Sequence, residues 1–111
     1  MNDIHAQIFL QRFMNLLEKG KIKFDPRNNK TRDFMFEYDL NVEDVFNILK
    51  QLKPCHYFQG PEKDHNGTPG NVMMFLYKYE DILIYIKLKI WTDAKGNEGV
   101  IMSFHKEGTY D

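Results

Sequence analysis

The chain has 111 residues and a mass of 13.3 kDa; this is the size of one ordinary domain, and such a domain buries about 65% of its unfolded surface without metal or disulfide staples. Its 42% hydrophobic and 28% charged residues exclude a disordered or fibrous chain, and no apolar run approaches the roughly 18–20 residues of a membrane span. Fifteen basic against sixteen acidic side chains leave a net charge of −1, which excludes a histone-like basic chain but not a local basic patch.

Ile4, Ile8, Phe9, Phe13, Leu16 and Leu17 recur at three- and four-residue intervals. This is the stripe of an amphipathic helix, with Gln7, Gln11, Arg12 and Glu18 on its wet side. Gly20 stands where a C-capping glycine belongs, and Asp3 where a carboxylate can accept from the first amides. Lys21 to Phe24 alternates like a short strand, which Asp25-Pro26 and Asn28-Asn29 break. Residues 32–38 are compatible with a short helix or an extended stretch. Asn41 opens a second helix, with Asp44 placed to answer its exposed amides. Val42, Val45, Phe46, Ile48, Leu49 and Leu52 form its stripe, and Pro54 stops it. From 58 to 71, three glycines and two prolines predict a loop, and a loop of that length is more often functional than idle. Three strands follow at 72–79, 82–91 and 98–105, separated by Glu80-Asp81 and by Ala94 to Asn97.

Alternation then assigns faces. In the middle strand Ile82, Ile84, Ile86, Leu88 and Ile90 point to the core, and Leu83, Tyr85, Lys87, Lys89 and Trp91 point away. In the last strand Val100, Met102 and Phe104 are expected inside, with Ile101, Ser103 and His105 outside. Matching core to core sets Tyr85 opposite His105 and Lys87 opposite Ser103, or Lys87 opposite His105 after a slip of two. A two-residue Glu80-Asp81 turn pairs Phe75 with Ile86 inside, and Leu76 and Met74 with Tyr85 and Lys87 outside. The expected architecture is a single α+β domain over 1–111, two N-terminal helices packed on an antiparallel sheet of three or more strands.

The face left uncovered gathers Tyr85, Lys87, Lys89, Trp91, Ser103 and His105, with Lys106 just beyond. Lysine contacts phosphate, an aromatic ring stacks on a base, and histidine moves a proton near neutral pH. Such a set can cut RNA by letting the ribose 2′-hydroxyl attack its own phosphate, a reaction that needs no metal. The 59–71 loop, with Lys63 and His65, is expected to border this face and help hold substrate. The plain alternative is a sheet face that alternates polar residues because it is solvated. His56, Asp64 and His65 match no zinc spacing. The lone Cys55 excludes a disulfide framework and reads as structural. With no signal peptide visible at Met1, the reading expects a cytoplasmic protein.

The ordered segments Leu16-Leu17-Glu18-Lys19-Gly20-Lys21-Ile22-Lys23-Phe24, Tyr38-Asp39-Leu40 before a Glu43-Asp44 helix, and Tyr57-Phe58-Gln59-Gly60-Pro61-Glu62 resemble the MqsR-like toxins. So do Tyr85-Ile86-Lys87-Leu88-Lys89-Ile90 and the closing Ser103-Phe104-His105; the likeness runs over about residues 10–107. It implies a RelE-like fold and an mRNA interferase of a type II toxin–antitoxin pair, neutralised by an antitoxin encoded beside it. It also implies mRNA as substrate, no cofactor and no membrane, and it leaves dependence on the ribosome open. Tyr85 and Lys87 match the family's Tyr-x-Lys strand. His105 stands where well-studied relatives carry lysine, while other RelE-like nucleases use a histidine near their C-termini. Gln59 falls where relatives have a lysine, and Met74 where they have a polar residue.

Two function classes follow. In the first, His105, Lys87 and Tyr85 are catalytic, and Lys89, Trp91, Lys63, Gln59 and Lys106 bind substrate. In the second, the chain is a non-catalytic module or an inactive relative that binds a protein through its open sheet face or edge.

Overall fold

The computed structural model describes residues 4–25, 29–63, 71–93 and 96–108. In chain order these form α1 (Ile4–Glu18), β1 (Ile22–Phe24), α2 (Asn29–Glu37), α3 (Val42–Leu49), a 3-10 turn (Pro54–His56), β2 (Tyr57–Lys63), β3 (Asn71–Tyr79), β4 (Ile82–Asp93) and β5 (Gly96–Lys106). The fold is α+β, with three α-helices among the described residues rather than two. Its five-stranded sheet has the order β1-β5-β4-β3-β2 and is mixed rather than purely antiparallel, because β1 runs parallel to β5. Among the described residues no helix is long and apolar enough to cross a membrane.

Local chemistry explains the helix ends. Gly20 adopts φ +72°, its N–H reaches Leu17 O at 3.1 Å, and the Lys21 N–H reaches Leu16 O at 2.9 Å. That is a Schellman closure, which satisfies carbonyls the helix cannot use itself. At α3 the Asn41 Oδ1 accepts from the Asp44 N–H at 2.7 Å, and Asp44 Oδ2 accepts from the Asn41 N–H at 2.9 Å. This reciprocal pair is a capping box. Asp3, the expected cap of α1, lies outside the described residues.

The stripe of α1 is rolled relative to the sequence reading. Ala6, Phe9, Leu10, Phe13, Leu16 and Leu17 are buried, while Ile4 and Ile8 are exposed. A count of bulky residues misses Ala6, whose small side chain is fully buried. In α3 the residues Val45, Ile48 and Leu49 are buried, whereas Val42 stays exposed. All three helices lie on one face of the sheet, joining Phe13, Phe34 and Leu49 to Phe75, Ile86, Leu88 and Phe104 in one apolar cluster.

The stretch 32–38, undecided between helix and strand, falls in α2 up to Glu37, a helix that already begins at Asn29, and its position has a hydrogen-bonding reason. Strand β1 covers β5 only as far as Ile101. Beyond it the Phe104 N–H would face no strand, and it donates instead to Thr31 Oγ1 at 2.9 Å. A buried amide without a partner is costly, so α2 completes an edge that β1 is too short to cover.

Register in the β3–β4 hairpin is as expected: Phe75 pairs with Ile86, Leu76 with Tyr85 and Met74 with Lys87. In the β4–β5 pair Tyr85 lies opposite His105 and Lys87 opposite Ser103. The register then slips by one at Met102, so Leu88 faces Ile101 and Lys89 faces Val100. This corrects the expected parity: Ile101 is in the core, and Val100 lies on the other face with Lys89. The bulge brings Gly99 beneath α1, where a Cβ would collide with Ile22 Cδ1 and approach Phe13 Cε2 to 2.9 Å. Strict alternation would have turned a residue with no side chain away from the place where only such a residue fits.

The expected 58–71 loop is corrected over its first part. Residues 57–63 are β2, an edge strand antiparallel to β3. Gly60 has φ +107°, and a Cβ there would lie 2.7 Å from Val72 O; the Gly60–Pro61 peptide is cis. Glycine and proline interrupt an interior strand, but an edge strand has no ladder partner on its outer side and tolerates both. The rest of that loop, with Asp64 and His65, lies outside the described residues. Cys55 is exposed and therefore packs no core.

Candidate functional site

The sheet face away from the helices is set by the even–odd alternation of β4. Tyr85 and His105 are opposite one another across the β4–β5 pair, with ring centroids 5.5 Å apart and planes inclined by 37°. Lys87 follows Tyr85 on the same face, between Met74 of β3 and Ser103 of β5. The expected trio is thus brought together by register alone.

His105 is only 7% exposed, and its Nδ1 lies 3.1 Å from the backbone oxygen of Lys106. A carbonyl oxygen can only accept, so the hydrogen sits on Nδ1 and the ring donates it. In the neutral imidazole Nε2 is then the nitrogen with a free lone pair, the form a general base requires. The Lys106 side chain has a different place: Lys106 pairs with Ile84, whose side chain is in the core. Alternation therefore assigns it to the opposite side of the sheet from His105, and its carbonyl, not its ammonium, serves the site.

Lys89 also departs from expectation. Read as a solvent-facing phosphate ligand, it is 3% exposed, lying at the register position between Val72 and Val100. Its Nζ is 4.7 Å from the centroid of the Trp91 ring. From β1, Lys23 Nζ approaches the same ring to 5.8 Å and holds Glu98 Oε1 at 3.1 Å. The indole is thereby engaged by two cations, each a favourable contact with the ring quadrupole. Among the described residues the buried Trp91 Nε1 has no hydrogen-bond acceptor. These contacts account for Lys89 and Trp91 as packing, beside Val72 of β3 and Val100 of β5, which are also buried.

On β2 the side chains of Phe58 and Gln59 are exposed. Gln59 pairs with Met74, and its Nε2 donates to Glu62 Oε2 at 3.1 Å. Lys63 lies at the end of β2, at the register position of Asn71. Phe58, which the sequence reading gave no role, is exposed on β2 with its ring centroid 6.5 Å from that of Tyr85. Its sequence neighbours read as loop, so nothing in the chain pointed to a shared face. Lys23 was similarly hidden, because its strand was legible but its parallel place beside β5 was not.

His56 stands apart from this face. Its Nδ1 accepts the Lys53 N–H at 2.9 Å, and its ring meets Tyr77 edge-on at 5.2 Å. Burial, with the nearby Lys53 charge adding to it, pushes its pKa below the ordinary 6.5, since both disfavour the imidazolium.

No protein-family model, curated protein or solved structure matches this chain.

Proposed function

We propose that this chain is the toxin of a type II toxin–antitoxin pair, a RelE-like, MqsR-like mRNA interferase that cleaves RNA by 2′-hydroxyl attack. The observation that carries the reading is the Tyr85–His105 ring pair, 5.5 Å apart, with Lys87 next on the same face. His105 Nε2 takes the proton of the ribose 2′-hydroxyl as its oxygen bonds to phosphorus. Lys87 neutralises the charge that develops on the phosphorane oxygens. The phosphorus–O5′ bond then breaks and the leaving oxygen takes a proton, for which Tyr85 is the adjacent donor. The products are a 2′,3′-cyclic phosphate and a 5′-hydroxyl. In this scheme Lys87 carries the phosphate role expected of Lys89, because a buried ammonium already held over an indole is poorly placed to reach RNA.

The test is induced expression in bacteria, with and without the neighbouring reading frame, together with RNA cleavage by the purified chain in EDTA. A positioned acid or base contributes roughly 10²–10⁴ in rate, so His105→Ala should lose about that factor while keeping its thermal midpoint. Lys87→Ala should lose activity, and Lys87→Arg should recover part of it. A second reading, a non-catalytic module that binds a protein through this face, is favoured by the burial of His105 and Lys89. Full toxicity in a stable His105→Ala, Lys87→Ala double mutant would establish that reading instead.

A further inference from the structure

The geometry points to Phe58 as a nucleobase platform, a ring on which one base of a bound single-stranded RNA stacks beside the Tyr85–His105 pair. This inference rests on the ribonuclease reading and adds a binding subsite to it. Phe9, Phe13, Phe34, Phe75 and Phe104 are buried, whereas Phe58 is 48% exposed. The cause is local. The β2–β3 register passes irregularly from Tyr57↔Phe75 to Gln59↔Met74, and the residue between them is turned out of the core.

Exposure alone would not distinguish Phe58, since Phe36 on α2 is more exposed. The difference is its surroundings. The Phe58 and Tyr85 ring planes meet at 83°, and such an edge-to-face contact occupies at most one face of the Phe58 ring. With the side chain 48% exposed, ring surface is left over for a flat partner. Phe58, Tyr85 and His105 thus form a row of rings across the sheet, with Lys87 alongside for the phosphate. A platform of this kind recognises ring area rather than base edges, because every base has a π-face. Its neighbour Gln59 is tied to Glu62, which leaves stacking as the main source of discrimination. Purines, with the larger ring system, should therefore be preferred at this position.

The probes are fluorescently labelled 2′-O-methyl oligo(A), 2′-O-methyl oligo(U) and an abasic 2′-O-methylribose–phosphate oligomer of equal length. None can be cleaved, because each lacks the attacking hydroxyl. The wild-type chain should bind oligo(A) more tightly than oligo(U). Phe58→Ala should weaken oligo(A) binding about 5- to 150-fold, the range of one lost base stack, and leave abasic binding unchanged. Phe58→Trp should keep the affinity. Phe58→Leu, which retains apolar bulk without a π-face, should behave like Phe58→Ala. On cleavable RNA the Phe58→Ala chain should show a raised KM with kcat preserved. If the wild type binds oligo(A) but Phe58→Ala or Phe58→Leu binds it equally well, the platform is overturned and the ribonuclease reading stands. If the wild type neither binds these probes nor cuts RNA, both fall.

Discussion

The Thr31 hydroxyl oxygen is a single atom on which the β5 edge depends. It accepts the Phe104 N–H at 2.9 Å in a buried environment, one residue before the histidine of the site. Thr31→Val keeps the shape and removes the acceptor, so the amide is left buried without that bond. Orphaning a buried donor costs about 1–3 kcal/mol. With an unfolding entropy of about 2.1 cal/mol/K per residue over 111 residues, each kcal/mol lowers the midpoint by about 4 °C. Thr31→Val should therefore melt about 4–13 °C below the wild type, and Thr31→Ser should recover most of the difference. Calorimetry measures the midpoint, and hydrogen exchange at the Phe104 amide should accelerate in Thr31→Val. An unchanged midpoint together with unchanged exchange at Phe104 would refute the claim that α2 completes the sheet edge.

Two further expectations follow from packing and titration. At Gly99 an added Cβ would collide with Ile22 Cδ1 and approach Phe13 Cε2 to 2.9 Å. Gly99→Ala should therefore lose about 1–3 kcal/mol of stability in urea unfolding, and Ile22→Val in the same chain should recover part of it. His56 has a folded pKa below its unfolded 6.5, so below that pH the unfolded chain binds more protons than the folded one. Stability should be full above about pH 6.5 and decline as pH falls from there through the lower folded value. His56→Asn should flatten the stability–pH curve in that window relative to the wild type; identical curves would remove His56 from the account.

The pattern of residues was most informative where a local rule acts alone. Gly20 and the Asn41–Asp44 pair are helix ends written in a few consecutive residues, and the structure forms both. The Glu80-Asp81 turn fixes the pairing of Phe75 with Ile86, because a two-residue hairpin allows little freedom of register. Matching core to core across β4 and β5 left Tyr85 or Lys87 opposite His105, and the structure takes the first, with Lys87 opposite Ser103; either register puts the trio on one face.

Tertiary structure decided what depends on contacts distant in sequence. Alternation cannot foresee the slip at Met102, which arises where Gly99 passes under Phe13 and Ile22. Nor can composition distinguish a loop from an edge strand when Gly60 and Pro61 sit in the ladder's outermost strand. Lys89 has the sequence parity of a surface lysine and meets the Trp91 ring two residues along its own strand, but its burial was settled by neighbouring strands that meet only in the folded sheet. Periodicity reports which face a side chain takes on its own element. How deep that face lies, and which strand lies beside it, is determined by the packing of the whole chain.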